Sequence, residues 1–348
     1  MSVSLRNLFL LVACLLILPA CGLWSAGTPL PTATTVNGVA INPPTQAPRP
    51  TPTMANGLIA RRHIVALSET IGPRVAGTPD EATAAEYIEA AFEAYGYVTQ
   101  LQPFSFTTED EDEEATLNSA NVIAVKTGLS PREIIVGAHY DSVDAGAGAD
   151  DNASGVAVML EAAEKIKDIQ TPYTIRFIAF GAEEVDLDGS RYYADQMNAS
   201  DIQNTVGMIN LDSLIAGDIA YVYGEAGPAG VVRDWILEFA QSKGFDMETQ
   251  PGDNLDEPDG TPCDCADYGP FEEAGVPFAY FEATNWNLGE EDGLTQVAPE
   301  FGEEGEIRHT EYDTLSYIDG SFPARIAKHL DLFVTLLYDT LTQFKTHS

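Results

Sequence analysis

Positive charge is scarce in this sequence. Its 348 residues include 17 Lys and Arg against 54 Asp and Glu, which gives a formal net charge of −37 at pH 7. Nucleic-acid binding requires clusters of Lys and Arg that contact phosphates, so we expect no nucleic-acid partner. Acid richness mainly keeps a surface solvated, and it also attracts cations such as metal ions or the ammonium group of a substrate.

Cysteine and long apolar runs are also scarce. The chain has four Cys, of which Cys263 and Cys265 form a close pair whose redox state the sequence leaves open. The apolar run Leu8–Leu18 is too short and too early for an ordinary membrane-spanning helix. With Arg6 before it, this run is typical of the hydrophobic part of a signal peptide.

The signal ends in Leu18-Pro19-Ala20-Cys21, which resembles a bacterial lipobox. The resemblance implies cleavage before Cys21, lipidation of its thiol and a membrane anchor outside the cytoplasm; a plain secretory signal is the alternative. Residues 21–56 are rich in Pro and Thr and cannot bury enough apolar surface to fold, so they predict an extended tether. The predicted division is therefore a signal peptide at 1–20, a tether at 21–56 and a folded domain at 57–348.

The folded part alternates helix-like and strand-like patterns, which favours an α/β domain. The runs NVIAVKTG, EIIVGAH, YTIRFIAFG and TVGMINLD are nearly continuous in apolar residues, as strands of a sheet covered on both faces require. Thr78-Pro79-Asp80-Glu81 predicts a helix start with a capping box. The acidic run at 108–114 predicts a solvated hairpin loop.

Metal-type side chains follow three of these predicted strands. His139 ends EIIVGAH, Glu183 and Glu184 follow YTIRFIAFGA, and Asp212 closes TVGMINLD. Because ligands of open α/β sheets gather beyond the carboxyl ends of the strands, we expect these side chains to lie close together.

Two further candidates lie away from the strand ends. Asp151 precedes a predicted helix, and His309 lies in RHTEYDT, where Asp313 could support a nearby site. Taken alone, the acidic stretch around Asp151 predicts an ordinary helix cap, and a single histidine is usually structural, as we expect for His63 and His329. Together, two histidines and three carboxylates from separate loops suit a pair of divalent ions sharing one bridging carboxylate. This ligand mixture favours zinc.

The motifs GAHYDS, GADDNASG, GAEE, INLD and RHTEYDT, in this order, resemble those of the family-28 zinc metallopeptidases. The resemblance covers the chain from about Arg61 to its C-terminus. It implies a single three-layer α/β domain with a mixed, mostly parallel central sheet and helices on both faces. It further implies two Zn²⁺ ions: His139 and Asp212 would hold one, Glu184 and His309 the other, and Asp151 would bridge them.

The same resemblance assigns the catalytic roles. Glu183 would be the general base, taking a proton from the attacking water and passing it to the leaving amine. Asp141 would accept a hydrogen bond from the second ring nitrogen of His139 and fix its tautomer.

Two positions depart from the pattern of many relatives. Arg308 precedes the last ligand where Tyr is frequent, so it would stabilise an oxyanion, clamp a substrate carboxylate or face solvent. Tyr268 replaces the His of a Ser-Asp-His segment, which alters the predicted wall on the substrate side. Glu290, Glu291 and Asp292, in a long acidic insertion, are candidates for contact with the substrate's ammonium group.

These observations predict an extracytoplasmic, lipid-anchored and monomeric two-zinc aminopeptidase that acts on peptide substrates. A carboxypeptidase or dipeptidase with Arg308 as its carboxylate clamp is one alternative, and a glutaminyl cyclase with one zinc is another. A non-catalytic surface lipoprotein that captures substrates is the alternative from a different class.

Overall fold

The computed structural model describes residues 35–36, 39–40, 55–110, 113–225, 227–250, 260, 266–291 and 293–346. The signal peptide, most of the tether, Cys21, the Cys263 and Cys265 pair and Asp292 lie outside the described residues. Residues Met1–Thr53 and Met54–Ser348 form separate units. In the first unit, two short strands, β1 (Thr35–Val36) and β2 (Val39–Ala40), pair with each other in antiparallel orientation.

The second unit contains the central sheet. Its strands are β3 (Val98–Asp110), β4 (Glu113–Lys126), β5 (Ser130–His139), β6 (Tyr173–Phe180), β7 (Thr205–Leu211), β8 (Ile219–Tyr223) and β9 (Phe278–Thr284). Within the described residues they form a seven-stranded sheet in the order β3-β4-β6-β5-β7-β9-β8. The neighbours β6, β5, β7 and β9 run parallel, and the remaining strands pair antiparallel at the two sides. The sheet is therefore mixed with a parallel centre, as expected.

Helices connect the strands and cover the sheet. They are α1 (Leu58–Ile64), α2 (Pro79–Ala94), α3 (Ala153–Ile166), α4 (Asp188–Asp195), α5 (Ala199–Asn204), α6 (Val231–Lys243), α7 (Gly269–Glu273), α8 (Leu315–Ser321) and α9 (Arg325–Gln343). A π-helical segment, Val65–Ile71, continues α1, and a 3₁₀ turn, Gly227–Gly230, precedes α6. In the part of the chain that the structure describes, we find no helix with both the length and the apolar character of a membrane span.

Alternating side chains of the central strands point into two separate apolar clusters. In β5, Ile134 and Val136 belong to the larger cluster, whereas Ile135 between them belongs to the smaller one. The larger cluster includes side chains of α1, α2, α3, α6, α8 and α9, and the smaller one includes those of α4, α5 and α7. Helices therefore cover both faces, which confirms the three-layer arrangement and explains the continuous apolar runs.

Two local predictions need correction. The acidic loop predicted at 108–114 is shorter, because the β3 and β4 ladder continues to the pair Asp110 and Glu113. Thr78 caps α2 by accepting from the Glu81 amide, but the Glu81 carboxylate accepts from the Gly77 amide and not from that of Thr78. Strand pairing thus shortens the predicted loop. The Glu81 carboxylate accepts from an amide one residue earlier than the capping-box spacing predicts.

Candidate metal centre

Three adjacent parallel strands place acidic and imidazole side chains at one edge of the sheet. His139 is the last residue of β5, and this strand pairs in parallel with β6 on one side and with β7 on the other. Glu183 and Glu184 follow β6, and Asp212 follows β7. The carboxyl ends of these strands meet, as the sequence predicted.

Asp151 reaches the same edge from the start of α3. The next residue, Asn152, caps α3 through its Oδ1, which accepts from the Gly155 amide at 2.8 Å. Asn152 Nδ2 also donates to the Leu211 carbonyl at 2.8 Å and ties this helix start to β7. A Cβ atom on Gly155 would lie 2.3 Å from that carbonyl oxygen, so only glycine allows this close approach. The acidic stretch is thus both a helix cap and part of the site.

The two oxygens of Asp151 contact different imidazoles. Its Oδ1 lies 3.0 Å from Nε2 of His139, and its Oδ2 lies 3.0 Å from Nε2 of His309. Nε2 of His139 is also 3.5 Å from Oδ1 of Asp212, and Nε2 of His309 is 3.0 Å from Oε2 of Glu184. Asp151 therefore lies between two groups of side chains that each contain one histidine.

Among the described residues, three groups of side chains have ligand atoms close enough together to hold a metal ion. Within each group, one ligand atom per residue lies within 4.8 Å of the others. The groups are His139, Asp151 and Asp212; Asp151, Glu184 and His309; and His139, Glu183 and Glu184. The first two share Asp151, which is the arrangement that a bridging carboxylate requires.

Asp141 holds the turn that carries the two glutamates. Its Oδ1 accepts from the Glu183 amide at 3.0 Å, and its Oδ2 accepts from the Glu184 amide at 3.1 Å. Nδ1 of His139 is 3.6 Å from Oδ1 of Asp141, beyond ordinary hydrogen-bond distance. The structure thus adds a contact with the glutamate turn that the sequence did not predict, and it shows the expected imidazole contact only at this longer distance.

The carboxylates of the site favour positive charge on the two imidazoles. Burial by itself lowers the pKa of His139, but the surrounding carboxylates raise it well above its ordinary value. Hydrogen bonds with Asp151 and Glu184 raise the pKa of His309 to about 11. The carboxylates therefore favour cations at both imidazoles, and a divalent metal ion would supply the same charge.

Burial raises the pKa of Glu183 well above its ordinary value, and it raises that of Glu184 in the same direction. Burial also acts to raise the pKa of Asp151, but its hydrogen bonds with His139 and His309 lower it below the ordinary value. Among the described residues, Oε1 of Glu184 has no hydrogen-bond partner although it is buried. The donor set of carboxylate oxygens and imidazole nitrogens fits zinc, and this oxygen is available to it.

The backbone is left-handed at three positions in or next to the cluster. Ala182, which precedes Glu183, has φ 52°, Ser213, which follows Asp212, has φ 50°, and His309 itself has φ 60°. Non-glycine residues rarely adopt this conformation, and such strain concentrates at functional sites. These left-handed turns therefore set the directions of Glu183, Asp212 and His309.

The cluster opens into a cavity of about 300 Å³. Its lining residues are His139, Asp151, Glu183, Glu184, Asp212, Tyr280, Leu294, Glu306, Arg308 and His309. Sequence reasoning did not identify Tyr280, Leu294 or Glu306. Tyr280 lies in β9, and its sequence pattern indicates only a strand. Glu306 belongs to the acidic insertion, whereas the predicted candidates Glu290 and Glu291 are not among the described residues that line the cavity.

Arg308 lines the cavity, and its half-buried guanidinium is held by neighbouring groups. Its Nη1 lies 2.7 Å from Oε1 of Glu282, and its Nη2 donates to the Gly293 carbonyl at 3.1 Å. Burial by itself lowers the pKa of Arg308, but Glu282 raises it above its ordinary value. Both terminal nitrogens are therefore engaged, which the sequence could not show because Glu282 lies in a different element.

Tyr268 lies in the smaller apolar cluster and not among the described residues that line the cavity. Its side chain is buried and its ring stacks on that of Phe278, with 4.3 Å between the centroids. The expected wall on the substrate side is therefore formed by Tyr280 and by the loop containing Leu294 and Glu306.

Two further buried residues support the ligand loops. Oδ1 of Asp313 accepts from the Asp150 amide at 2.7 Å and its Oδ2 from the Asp151 amide at 3.1 Å, in agreement with its expected supporting position. Arg74 was not predicted: its guanidinium is fully buried and donates to the carbonyls of Tyr140 and Gly148. Burial lowers the pKa of Arg74 to about 10, which leaves it charged at neutral pH beside the acidic cluster.

An acidic and imidazole cluster that lies at the carboxyl edge of the central sheet and opens into a cavity is typical of a metal-dependent hydrolase. Residues 121–334 match the model of Peptidase family M28. The chain belongs to this family, and it is a zinc metallopeptidase.

Individual relatives agree with this assignment. The alkaline phosphatase isozyme conversion protein of Escherichia coli (strain K12) is 37% identical over 280 residues, which cover 73% of this chain and 81% of that protein. Aminopeptidase YwaD of Bacillus subtilis (strain 168) is 33% identical over 215 residues, covering 55% of this chain but only 45% of that protein. The solved structure of BSAP, a zinc aminopeptidase from Bacillus subtilis, superimposes with a TM-score of 0.67 at 21% identity, covering 84% of this chain and 97% of that one. This last similarity shows that the fold is shared.

Proposed function

We propose that this chain is a two-zinc aminopeptidase that removes N-terminal residues from peptides outside the cytoplasm. The observation that carries the proposal is the position of Asp151, whose two oxygens each lie 3.0 Å from Nε2 of a different histidine. The similarity to aminopeptidase YwaD and to the zinc aminopeptidase BSAP supports the direction of cleavage.

The proposed ligand allotment follows from the two groups that share Asp151. His139 and Asp212 would hold one zinc, Glu184 and His309 would hold the other, and Asp151 would serve both. When bound, zinc ions polarise a scissile carbonyl and lower the pKa of a water molecule. Asp141 keeps Glu184 in place by accepting from its backbone amide.

Glu183 is proposed as the residue that moves the proton. Its Oε2 lies 3.9 Å from Nε2 of His139, farther than the carboxylates of Asp151 and Asp212, and its side chain lines the cavity. Burial raises the pKa of Glu183, which brings a carboxyl group closer to the range in which it can both accept and return a proton. It takes a proton from the attacking water and delivers it to the leaving amine.

Recognition of the amino end is favoured by the charges of the cavity. Among the described residues that line it, Arg308 is the single Lys or Arg, and Glu282 and Gly293 engage its terminal nitrogens. A carboxypeptidase needs a cation that is free to bind the substrate's carboxylate. The acidic wall, including Glu306, instead favours a substrate ammonium group.

The proposed location rests on the sequence. The lipobox-like segment ending in Cys21 and the tether at 21–56 support a lipid-anchored enzyme that acts outside the cytoplasm. Metabolic labelling with palmitate should mark the full-length chain expressed in bacteria, and Cys21→Ala should remove the label. Label retained in Cys21→Ala would contradict the anchor.

Peptides with free or acetylated N-termini test the activity. We expect the zinc-loaded enzyme to release N-terminal residues from the free peptides, and acetylation should abolish this release. Release of C-terminal residues from the acetylated peptides would instead indicate a carboxypeptidase.

The variant Glu183→Gln tests the chemistry in the same assay. We expect it to retain bound zinc but to lose about 100-fold or more in kcat, because the proton carrier is gone while the proposed ligands stay. Metal content measured on the same preparation is the control. Unchanged kcat with full zinc content would remove Glu183 from its proposed role.

A further inference from the structure

Gln296 connects two parts of the metal centre, although the hydrogen bonds of its side chain go to none of the proposed ligand side chains. It lies between β9 and α8 and is fully buried. Its Nε2 donates to Oδ2 of Asp150 at 2.7 Å, and its Oε1 accepts from the amides of Ile307 at 3.1 Å and Arg308 at 2.8 Å. One side chain thus joins the residue before Asp151 to the two residues before His309.

The Asp150 end of this connection is itself fixed. Oδ1 of Asp150 accepts from the amides of Ile215 at 2.7 Å and Ala216 at 3.0 Å, in the segment that follows Asp212. The Asp150 amide donates to Asp313 at 2.7 Å. Asp150 is therefore a rigid point to which Gln296 attaches the loop that carries His309.

His309 depends on its backbone for its position more than His139 does. The His309 side chain is 57% exposed, and its backbone is left-handed, with φ 60°. His139, in contrast, is 1% exposed and lies at the end of a central strand. Packing and the sheet hold His139, whereas His309 has to be held through the segment before it.

We propose that Gln296 is a positioning residue that sets the zinc affinity of the group formed by Asp151, Glu184 and His309. The inference rests on the proposed function, because it takes these residues as zinc ligands. Loss of the Gln296 contacts releases the Ile307 and Arg308 amides and lets His309 move away from Asp151 and Glu184. The group formed by His139, Asp151 and Asp212 is expected to keep its affinity.

Stepwise zinc titration of the metal-free protein tests this proposal. Isothermal titration of the full chain should show two binding events in the wild type. In Gln296→Met, which preserves side-chain length but removes the amide, we expect one event to be retained and the other to lose about 10-fold to 100-fold in affinity. Thr340→Val removes a buried hydrogen bond to the Leu336 carbonyl within α9 and controls for a general loss of stability.

The outcomes are distinct. Unchanged affinities, or an equal loss in both events, would overturn the positioning role of Gln296. A wild type that binds a single zinc would overturn the two-zinc function and this inference together, and it is recognised without any variant. Should Gln296→Met not fold, Gln296→Asn keeps the polar group but shortens it by one methylene, and the same selective loss is expected.

Discussion

At the scale of single residues, the charge of Arg308 is neutralised by a buried partner. Glu282 is 5% exposed, and its second oxygen, Oε2, accepts from the Tyr223 hydroxyl at 3.0 Å. Burial raises the pKa of Glu282, and Arg308 opposes that shift. Removing one member of such a pair leaves the other as an uncompensated buried charge.

We therefore predict that Arg308→Met destabilises the protein by about 3–5 kcal/mol. The double variant Glu282→Gln with Arg308→Met should recover most of this loss, because it leaves no charge behind. Urea unfolding of the wild type, both single variants and the double variant completes the cycle. If Arg308→Met unfolds at the same urea concentration as the wild type, the pair does not hold the cavity wall together.

Residues of the site differ in how far the sequence could predict them. His139, Glu183, Glu184 and Asp212 follow buried strands, so the strand pattern alone brought them to one edge. Gln296 could not be found this way, because its partner Asp150 is 146 residues away and glutamine has no strong preference for any functional site. Side chains that act through distant contacts leave no local pattern in a sequence.

At the scale of elements, His63 joins α1 to α2. Its Nδ1 lies 2.7 Å from the Tyr87 hydroxyl and its Nε2 lies 2.9 Å from the Tyr95 hydroxyl. Burial, assisted by the charge of Arg62, lowers the pKa of His63 to about 4. The folded state therefore holds the imidazole neutral at pH values where the unfolded chain, with a pKa of about 6.5, is protonated.

This difference predicts that His63 stabilises the protein less at acidic pH. Its contribution is complete above about pH 6.5, decreases as the pH falls towards 4, and is constant below that, because only the unfolded state gains a proton in this window. Between pH 7 and pH 5, the stability of the wild type relative to His63→Phe should fall by roughly 2 kcal/mol. Urea unfolding at several pH values measures it.

The control for this measurement is Tyr87→Phe, which removes the contact with Nδ1 without removing a group that titrates near neutral pH. Its effect on the free energy of unfolding should vary much less with pH. A difference between the wild type and His63→Phe that stays constant from pH 7 to pH 5 would show that His63 titrates alike in both states.

Helices and strands whose apolar residues recur at a regular spacing were predictable from the sequence. The long connection between β9 and α8 was not. The central strands and α3, α6 and α9 occur where their apolar patterns indicated. The segment from 285 to 314 has no such period, yet it supplies Leu294, Glu306, Arg308 and His309 to the cavity. Its conformation depends on contacts such as those of Gln296, which are absent from any local sequence pattern.

At the scale of the whole molecule, bound metal ions would offset part of the large negative charge. The chain carries a net charge of −37, and five acids, Asp141, Asp151, Glu183, Glu184 and Asp212, surround two histidines at the site. Bound zinc would reduce this local concentration of negative charge, and the side chains that would hold it come together in the folded chain. Removal of zinc should therefore lower both activity and stability.

We predict that chelation abolishes peptidase activity and lowers Tm by about 10 °C relative to protein with zinc at about 100 times the Kd of both sites. At that ratio each of the two sites contributes about 2.7 kcal/mol, and a domain of this size gains about 2 °C per kcal/mol. Differential scanning calorimetry of chelated and zinc-restored samples measures the shift.

Magnesium is the control, because it prefers all-oxygen ligands and should restore neither property. Sodium chloride is the second control: by screening charge it should raise Tm of the chelated protein without restoring activity. A chelated protein with the Tm of the zinc-loaded form would show that the acidic cluster does not bind zinc in the folded state.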